Sequence, residues 1–384
     1  MRLNPVFAEM ATYPFVRLAE AKAAVVARGL DVIDFGIGEP REETPPFIRH
    51  ALAAALEAEP VSTYPSAEGL PELRAAIARW TRRRFGALLD PDTEIVPTLG
   101  SKEAIFHLAQ VVGGAGSRVA VTTPGYPVPA RGALFAGADV VEVPLDPARG
   151  WRPDLAAVDL EGVALLWLNF PNNPTAATAP LEVYEQAAAL ARAAGFVVAC
   201  DEAYSELWFE GEPPVSALQL PDRTNVLALN TLSKRSSMPG YRAGFAAGDP
   251  ELVAALKRYR PNVGVAPQTF VQRAAIAAWG DEQHVAQTRA RYAAKREVFL
   301  PALLAAGLER SGGDASFFLW LRTPDGEDAE AFALALLEQT GVAVAPGTYF
   351  GPGGEGHVRV ALVPTIARCE EAAERLSRWR AARG

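Results

Sequence analysis

Cysteine is almost missing from this 384-residue chain. Cys200 and Cys369 lie far apart and match no metal-ligand spacing, so neither a disulfide framework nor a cysteine-built metal site is expected. Such sparing use fits a reducing, cytoplasmic setting. Histidine is scarce too. The four present are dispersed, with no H-x-x-x-H pair and no carboxylate–histidine cluster, so no catalytic metal is expected. His107 falls on a helical pattern and reads as a packed or surface residue. No apolar run is long enough to span a bilayer, and the first residues lack the charged, apolar and cleavage segments of a signal peptide. An excess of basic residues is also missing. The net charge is -8 and the pI is near 5.3, which argues against nucleic acid as the main partner. The triplet Arg82-Arg83-Arg84 reads as the solvated C-terminus of a helix beginning near Leu70. The chain contains no internal repeat and no low-complexity tract.

What is present is apolar bulk in an ordered pattern. About half the residues are hydrophobic, enough for two domains or one large one. Strands are predicted at 118–122, 139–143, 163–169, 196–201, 225–230 and 243–247, with helices near 127–136, 181–194 and 250–259 between most of them. Apolar strands alternating with helices predict an α/β fold with a mainly parallel sheet covered on both faces. A long helix over 283–306 leads to strands at 317–321, 342–345 and 357–363 and a last helix over 365–380. The expected organisation is a large domain over 45–285 and a smaller α+β domain made of 1–44 and 286–384.

In a parallel α/β sheet, ligand groups gather at the carboxyl ends of the strands. Tyr126 follows the strand ending near Thr122. Asn173 follows Asn169, Asp201 ends its own strand with Tyr204 three residues on, and Lys234 follows Asn230. All of them fall on one edge. A lysine beyond a strand end becomes a nucleophile when its pKa is lowered from about 10.4. Thr231, Ser233 and Arg242 around it have the donors to hold a phosphate. The strand 94–99 runs through Gly100 into a helix, leaving the backbone N–H groups of Gly100, Ser101 and Lys102 for an anion. These are the parts of a Schiff-base lysine with a phosphate cup, and pyridoxal 5'-phosphate is the cofactor they suit. Asp201 suits the pyridine nitrogen, Asn173 and Tyr204 the phenolic oxygen, and Tyr126 the ring face.

The motifs Gly100-Ser101-Lys102-Glu103-Ala104, Pro124-Gly125-Tyr126-Pro127, Asn173-Pro174-Thr175, Asp201-Glu202-Ala203-Tyr204, Ser233-Lys234, Gly240-Tyr241-Arg242-Ala243-Gly244, Pro346-Gly347-Thr348-Tyr349-Phe350-Gly351 and His357-Val358-Arg359-Val360 carry a family likeness. In their order and spacing the chain resembles the class I/II aminotransferases of the fold-type-I pyridoxal-phosphate enzymes over nearly its whole length. The resemblance implies that Lys234 forms the imine and shuttles a proton. It implies that Arg359 clamps the substrate α-carboxylate with help from the Gly38 backbone. It also implies that Tyr64 reaches the phosphate of a partner subunit in a homodimer with shared active sites. Two departures stand out: Thr231 where serine is usual, and Ala176 where glycine is usual. Pro5, Tyr13-Pro14-Phe15, Ile37-Gly38-Glu39-Pro40, Ser233–Gly240 and Tyr259–Gly264 are similar to the bacterial succinyldiaminopimelate aminotransferases. That likeness implies exchange of an amino group between N-succinyl-LL-2,6-diaminopimelate and 2-oxoglutarate in lysine biosynthesis. Lys102, Arg235 and Arg17 are the candidate cations for the substrate's distal carboxylates. The alternatives are an aspartate, alanine or broad-specificity aminotransferase and, in a different reaction class, a C–S β-lyase of the same fold.

Overall fold

The structure is a computed structural model that describes residues 4, 6–7, 14–61 and 63–381. Pro5 and Tyr13, on which part of the sequence reading rests, lie outside the described residues. In chain order come helix α1 (Pro14–Ala27), strand β1 (Ile33–Asp34), α2 (Pro46–Ala58), α3 (Pro71–Phe85), β2 (Ile95–Thr98), α4 (Gly100–Val112), β3 (Arg118–Thr123), α5 (Val128–Ala136), β4 (Asp139–Asp146) and β5 (Arg152–Pro153). Then follow β6 (Val163–Asn169), α6 (Leu181–Ala194), β7 (Val197–Asp201), β8 (Val226–Thr231), α7 (Leu232–Arg235), β9 (Gly244–Gly248), α8 (Pro250–Tyr259), α9 (Thr269–Gly280) and α10 (Gln283–Ala305). The last stretch holds β10 (Glu309–Arg310), β11 (Phe318–Arg322), α11 (Ala329–Thr340), β12 (Val342–Ala343), β13 (Ala345–Pro346), β14 (His357–Ala361) and α12 (Ile366–Ala381).

The large sheet has eight strands in the order β2-β9-β8-β7-β6-β3-β4-β5. Its centre, from β4 through β3, β6 and β7 to β8, is parallel. The outer pairings, β8 with β9, β9 with β2 and β4 with β5, are antiparallel. Strands β6, β7 and β8 are buried almost throughout, as the unbroken apolar runs require of a sheet covered on both faces. One hydrophobic core lies on each face. The first includes Trp80, Leu166, Val198 and Trp279. The second includes Leu108, Leu165, Leu227 and Leu256.

A separate antiparallel sheet of order β10-β11-β14-β13 packs with α10 and α12 around Phe299, Leu321, Val360 and Leu376. The strand expected over 342–345 is divided. Val342–Ala343 pairs in parallel with Ile33–Asp34, while Ala345–Pro346 joins β14. This pairing ties the N-terminal segment to the C-terminal third of the chain. The sequence reading has no helix at 269–280, where α9 packs. That segment, Thr269–Gly280, is largely apolar and starts without a side-chain cap, so it carries neither a clear polar face nor a start signal.

The arginine triplet at the end of α3 is only in part the solvated terminus expected. Arg82 and Arg83 are exposed or nearly so, but Arg84 is largely buried. It pairs with Glu206 at 2.9 Å and donates to the carbonyls of Ser205 and Pro214. Both cysteines are free and buried. Among the described residues no helix is long and apolar enough to cross a membrane, and no group of three potential metal ligands occurs.

Candidate active site

The parallel strands end at one edge of the sheet, and a cavity of about 690 Å³ lies there. Its wall includes Gly38, Ser101, Lys102, Tyr126, Asn173, Asp201, Tyr204, Thr231, Ser233, Lys234, Arg242 and Arg359. Of the catalytic, cofactor and α-carboxylate residues expected from the sequence, all but Gly100 and Tyr64 line this space. Gly100 sits just behind the wall as the first residue of α4. Its φ is +69°, and a Cβ there would come within 2.7 Å of the Arg242 guanidinium, so the cup can close only over glycine. Tyr64 is fully exposed and does not line this cavity.

Lys234 sits on α7, a single turn that follows β8. Thr231 caps that turn by accepting from the Ser233 N–H. Burial pushes the Lys234 ammonium down to about 8, helped by the positive charge of Arg359 and opposed by Glu39 and Asp201. Its Nζ donates to the Gly38 carbonyl at 2.9 Å. At Gly38 a Cβ would strike the Phe318 ring at 2.7 Å, so a larger residue would displace the carbonyl that holds the lysine.

Asp201 ends β7. Burial raises its carboxyl to about 6, against the Ala203 N–H and the Lys234 charge, which both favour the ionised form. Tyr204 follows in a turn rather than on a helix, and burial pushes its phenol well above the ordinary range. Asn173 is oriented from two sides. Its N–H donates to Asn169 Oδ1 at 2.9 Å, and its Oδ1 accepts from the Arg359 guanidinium at 2.9 Å. Arg359 on β14 is buried. It also donates to the Gly36 carbonyl at 2.6 Å and lies 4.4 Å from the Phe318 ring and 4.6 Å from the Phe350 ring.

At the opposite end, Ser101 and Lys102 begin α4, while Thr231, Ser233 and Arg242 come from the β8–β9 connection. Arg242 takes a left-handed φ of +53°, a conformation costing a non-glycine residue about 1–2 kcal/mol. It is held there by bonds to the carbonyls of Pro239 at 2.9 Å and Leu99 at 2.8 Å. Lys102 is exposed at the cavity's edge; its ammonium is lowered by partial desolvation first and then by Arg242 and Arg131. A helix N-terminus, two hydroxyls and a fixed guanidinium therefore converge on one end, as a phosphate monoester requires. The carboxyl and the amine lie along the same wall. The residues present fit pyridoxal 5'-phosphate.

Two of the three candidate distal cations are corrected. Arg235 is buried and does not line the cavity; it lies against Trp80 and Trp279. Successive helical residues diverge by about 100°, so a residue next to Lys234 in sequence faces elsewhere. Arg17 is exposed and does not line the cavity either. Sequence reasoning missed Asn169, Phe318 and Phe350. Asn169 donates to the Asp201 carbonyl at 2.8 Å and thereby braces two strand ends. Its signal was available, being the single polar residue closing an apolar strand. The two phenylalanines look like core residues in any sequence pattern. Ala176, where a glycine was the expectation, takes φ +60° and carries the strain of that position.

Residues 30–376 match the model of the family described as aminotransferase class I and II. The LL-diaminopimelate aminotransferase of Dehalococcoides mccartyi is 37% identical over 385 residues, covering 99% of each chain. The solved structure of a probable N-succinyldiaminopimelate aminotransferase from Thermus thermophilus superposes with a TM-score of 0.87 at 34% identity, over 95% of this chain and 99% of that one. A mutant Thermus thermophilus aspartate aminotransferase gives a TM-score of 0.90 at 32% identity, over 98% and 100%. With the cavity, its fold-type-I sheet and near-full-length similarity in agreement, the chain belongs to the class I and II aminotransferases, enzymes that depend on pyridoxal 5'-phosphate.

Proposed function

We propose that this aminotransferase acts on a diaminopimelate, moving the amino group of LL-2,6-diaminopimelate to a 2-oxo acid such as 2-oxoglutarate, with a place in lysine biosynthesis. The carrying observation is the near-full-length similarity to LL-diaminopimelate aminotransferases. The substrate expected from sequence motifs, N-succinyl-LL-2,6-diaminopimelate, is the second reading, favoured by the structural neighbour from Thermus thermophilus. Both substrates carry a carboxylate beyond the reacting end. Lys102, on the cavity wall, is the cation for it in this reading, since Arg235 and Arg17 lie elsewhere.

When bound, the cofactor supplies an electron-withdrawing ring next to the substrate Cα. The chain's own residues do the rest. Asp201 would hold the pyridine N–H as an ion pair, and the N–H of Ala203 favours its ionised form. Lys234, with its amine lowered to about 8, has an accessible neutral form near neutral pH and can take and return a proton at Nζ. The Gly38 carbonyl accepts from that nitrogen and holds it at the cavity wall. Arg359 grips the α-carboxylate in a charge-assisted pair, its plane set by Phe318 and Phe350 and its position by Asn173 and the Gly36 carbonyl. The backbone N–H groups of Ser101 and Lys102, with the side chains of Thr231, Ser233 and Arg242, would anchor the phosphate. Tyr64, exposed on its own protomer, serves a partner's phosphate in a homodimer. On the same reading, 45–285 form the cofactor-holding domain, and 1–44 with 286–384 form the smaller domain that brings Arg359.

A substrate panel with purified holoenzyme and 2-oxoglutarate tests this. LL-diaminopimelate is expected to be the best donor, followed by its N-succinyl derivative. If aspartate or alanine turns over while neither diaminopimelate does, the substrate assignment is wrong. Ammonia and pyruvate formed from a cysteine-derived thioether without a keto-acid acceptor would mark a lyase instead.

A further inference from the structure

The residues that flank Lys234 on its C-terminal side are not used by the chemistry above, yet they are among the most buried polar groups of the molecule. Arg235 is 1% exposed and Ser236 is 0% exposed. The Arg235 guanidinium lies 4.7 Å from the Trp279 ring and 5.1 Å from the Trp80 ring. It donates to the Asp281 carbonyl at 3.3 Å and to Glu282 Oε1 at 3.1 Å. Ser236 Oγ is 2.8 Å from His284 Nε2. His284 Nδ1 is in turn 2.6 Å from Asp281 Oδ1, a carboxylate that also accepts the His284 N–H at 2.9 Å. Asp281 fixes the proton on Nδ1, so Nε2 accepts from the Ser236 hydroxyl.

The hydrogen-bonding partners all come from one place, the junction between α9 and the start of α10, while Trp80 comes from α3. They grip the two residues that follow the lysine. The grip matters because α7 is one turn long, and a single turn is not stable by its own hydrogen bonds. Cap and cavity contacts hold its first half: Ser233 through Thr231, and Lys234 through the Gly38 carbonyl. The Arg235 and Ser236 contacts hold the C-terminal end of the turn and its cap to another part of the fold through side chains.

Resting on the assignment of Lys234 as the reacting lysine, we propose that Arg235 and the Asp281–His284–Ser236 chain are a two-point clasp that positions Lys234. Arg235 and Ser236 are positioning residues: neither lines the cavity, and they act on the reaction through the lysine alone. The groups facing Lys234 itself are Arg359, Glu39, Asp201 and Arg242. Those facing the clasp are Asp281, Glu282, Glu206 and Arg83.

The test uses the full-chain holoenzyme of Arg235→Met, Arg235→Lys, Ser236→Ala and Lys234→Ala. The visible absorbance of the bound cofactor is titrated against pH, and kcat and KM are measured with the best donor. Loosening the clasp lets water reach Nζ and favours its protonated form. The pH midpoint is therefore expected to rise by at least about half a unit in Arg235→Met and Ser236→Ala. A small displacement of a reacting atom lowers the rate, so kcat should fall at least about tenfold while KM stays within about twofold. Arg235→Lys, which keeps a charge beside Glu282, should recover part of both effects. An unchanged midpoint and kcat in Ser236→Ala would overturn the clasp, whatever happens to thermal stability and even if Arg235→Met does not fold. A midpoint band that survives in Lys234→Ala would overturn the lysine assignment instead.

Discussion

Along the large sheet, four parallel strands each deliver a polar residue to the cavity within a few positions of the strand's end. These are Tyr126, Asn173, Asp201 and Lys234. The facing wall is assembled differently. Gly38 comes from a connection near the N-terminus, while Phe318, Phe350 and Arg359 come from the antiparallel sheet and its loops. The first wall is set by strand register and, on the proposed assignment, holds the cofactor; the second is set by contacts between distant parts of the chain and, on the same assignment, holds the substrate. The two are stitched together at few points. Arg359 bonds Asn173, Lys234 bonds the Gly38 carbonyl, and the Gly125 N–H donates to the Phe350 carbonyl at 2.8 Å. The difference teaches that binding and chemistry are separable here: damage to one wall should show in kcat, damage to the other mainly in substrate affinity.

Substitutions on each wall can break that separation. On the cofactor wall, Asp201→Asn keeps the shape and removes the charge that holds the pyridine nitrogen protonated. A fall in kcat on the order of a thousandfold, about 4 kcal/mol of barrier, is expected, with donor KM nearly unchanged. Comparable losses in kcat and KM would show that the walls are not independent. On the substrate wall, Arg359→Lys keeps the charge but loses the planar fork and its stacking on Phe318 and Phe350. A loss in kcat/KM of about a hundredfold is expected, carried mostly by KM for both amino and oxo acids. The cofactor's absorbance should be unaltered. A shifted absorbance band would mean that Arg359 reaches the cofactor through Asn173, and the comparison would have to be redrawn.

The same contrast explains what the sequence made legible. The large sheet was readable because its strands are unbroken apolar runs that stop at a polar residue, so strand, edge and site come from one pattern. Strand 163–169 and helices 181–194 and 250–259 have the bounds that pattern implies. The antiparallel side was readable only in outline. Pairing of Ile33–Asp34 with Val342–Ala343 joins segments that share no local signal. Phe318 and Phe350 as the walls of an arginine slot are invisible in a strand pattern that predicts core. Arg235 was misread for a geometric reason: adjacency to a catalytic residue in sequence says nothing about direction on a helical turn. Arg84 was misread because a helix end looks solvated until a loop such as 205–214 packs over it. Lys102 alone of the three distal cations stands on the cavity wall, which no charge pattern distinguished beforehand.

The central claim is that Lys234 carries the covalent chemistry, and the chain makes this unusually easy to test because it has five lysines: Lys22, Lys102, Lys234, Lys257 and Lys295. Lys22, Lys257 and Lys295 are engaged elsewhere, with Asp34 at 2.6 Å, the Asp92 carbonyl at 2.5 Å and Glu42 at 2.6 Å. Lys102 shares the cavity with Lys234 and is the real competitor. Borohydride reduction of the holoenzyme, followed by peptide mass spectrometry, locates the bound cofactor. The expected result is a single modified peptide bearing the cofactor on Lys234, absent from Lys234→Ala. Label on Lys102 in the unmodified sequence, or persistent label in Lys234→Ala, would contradict the account.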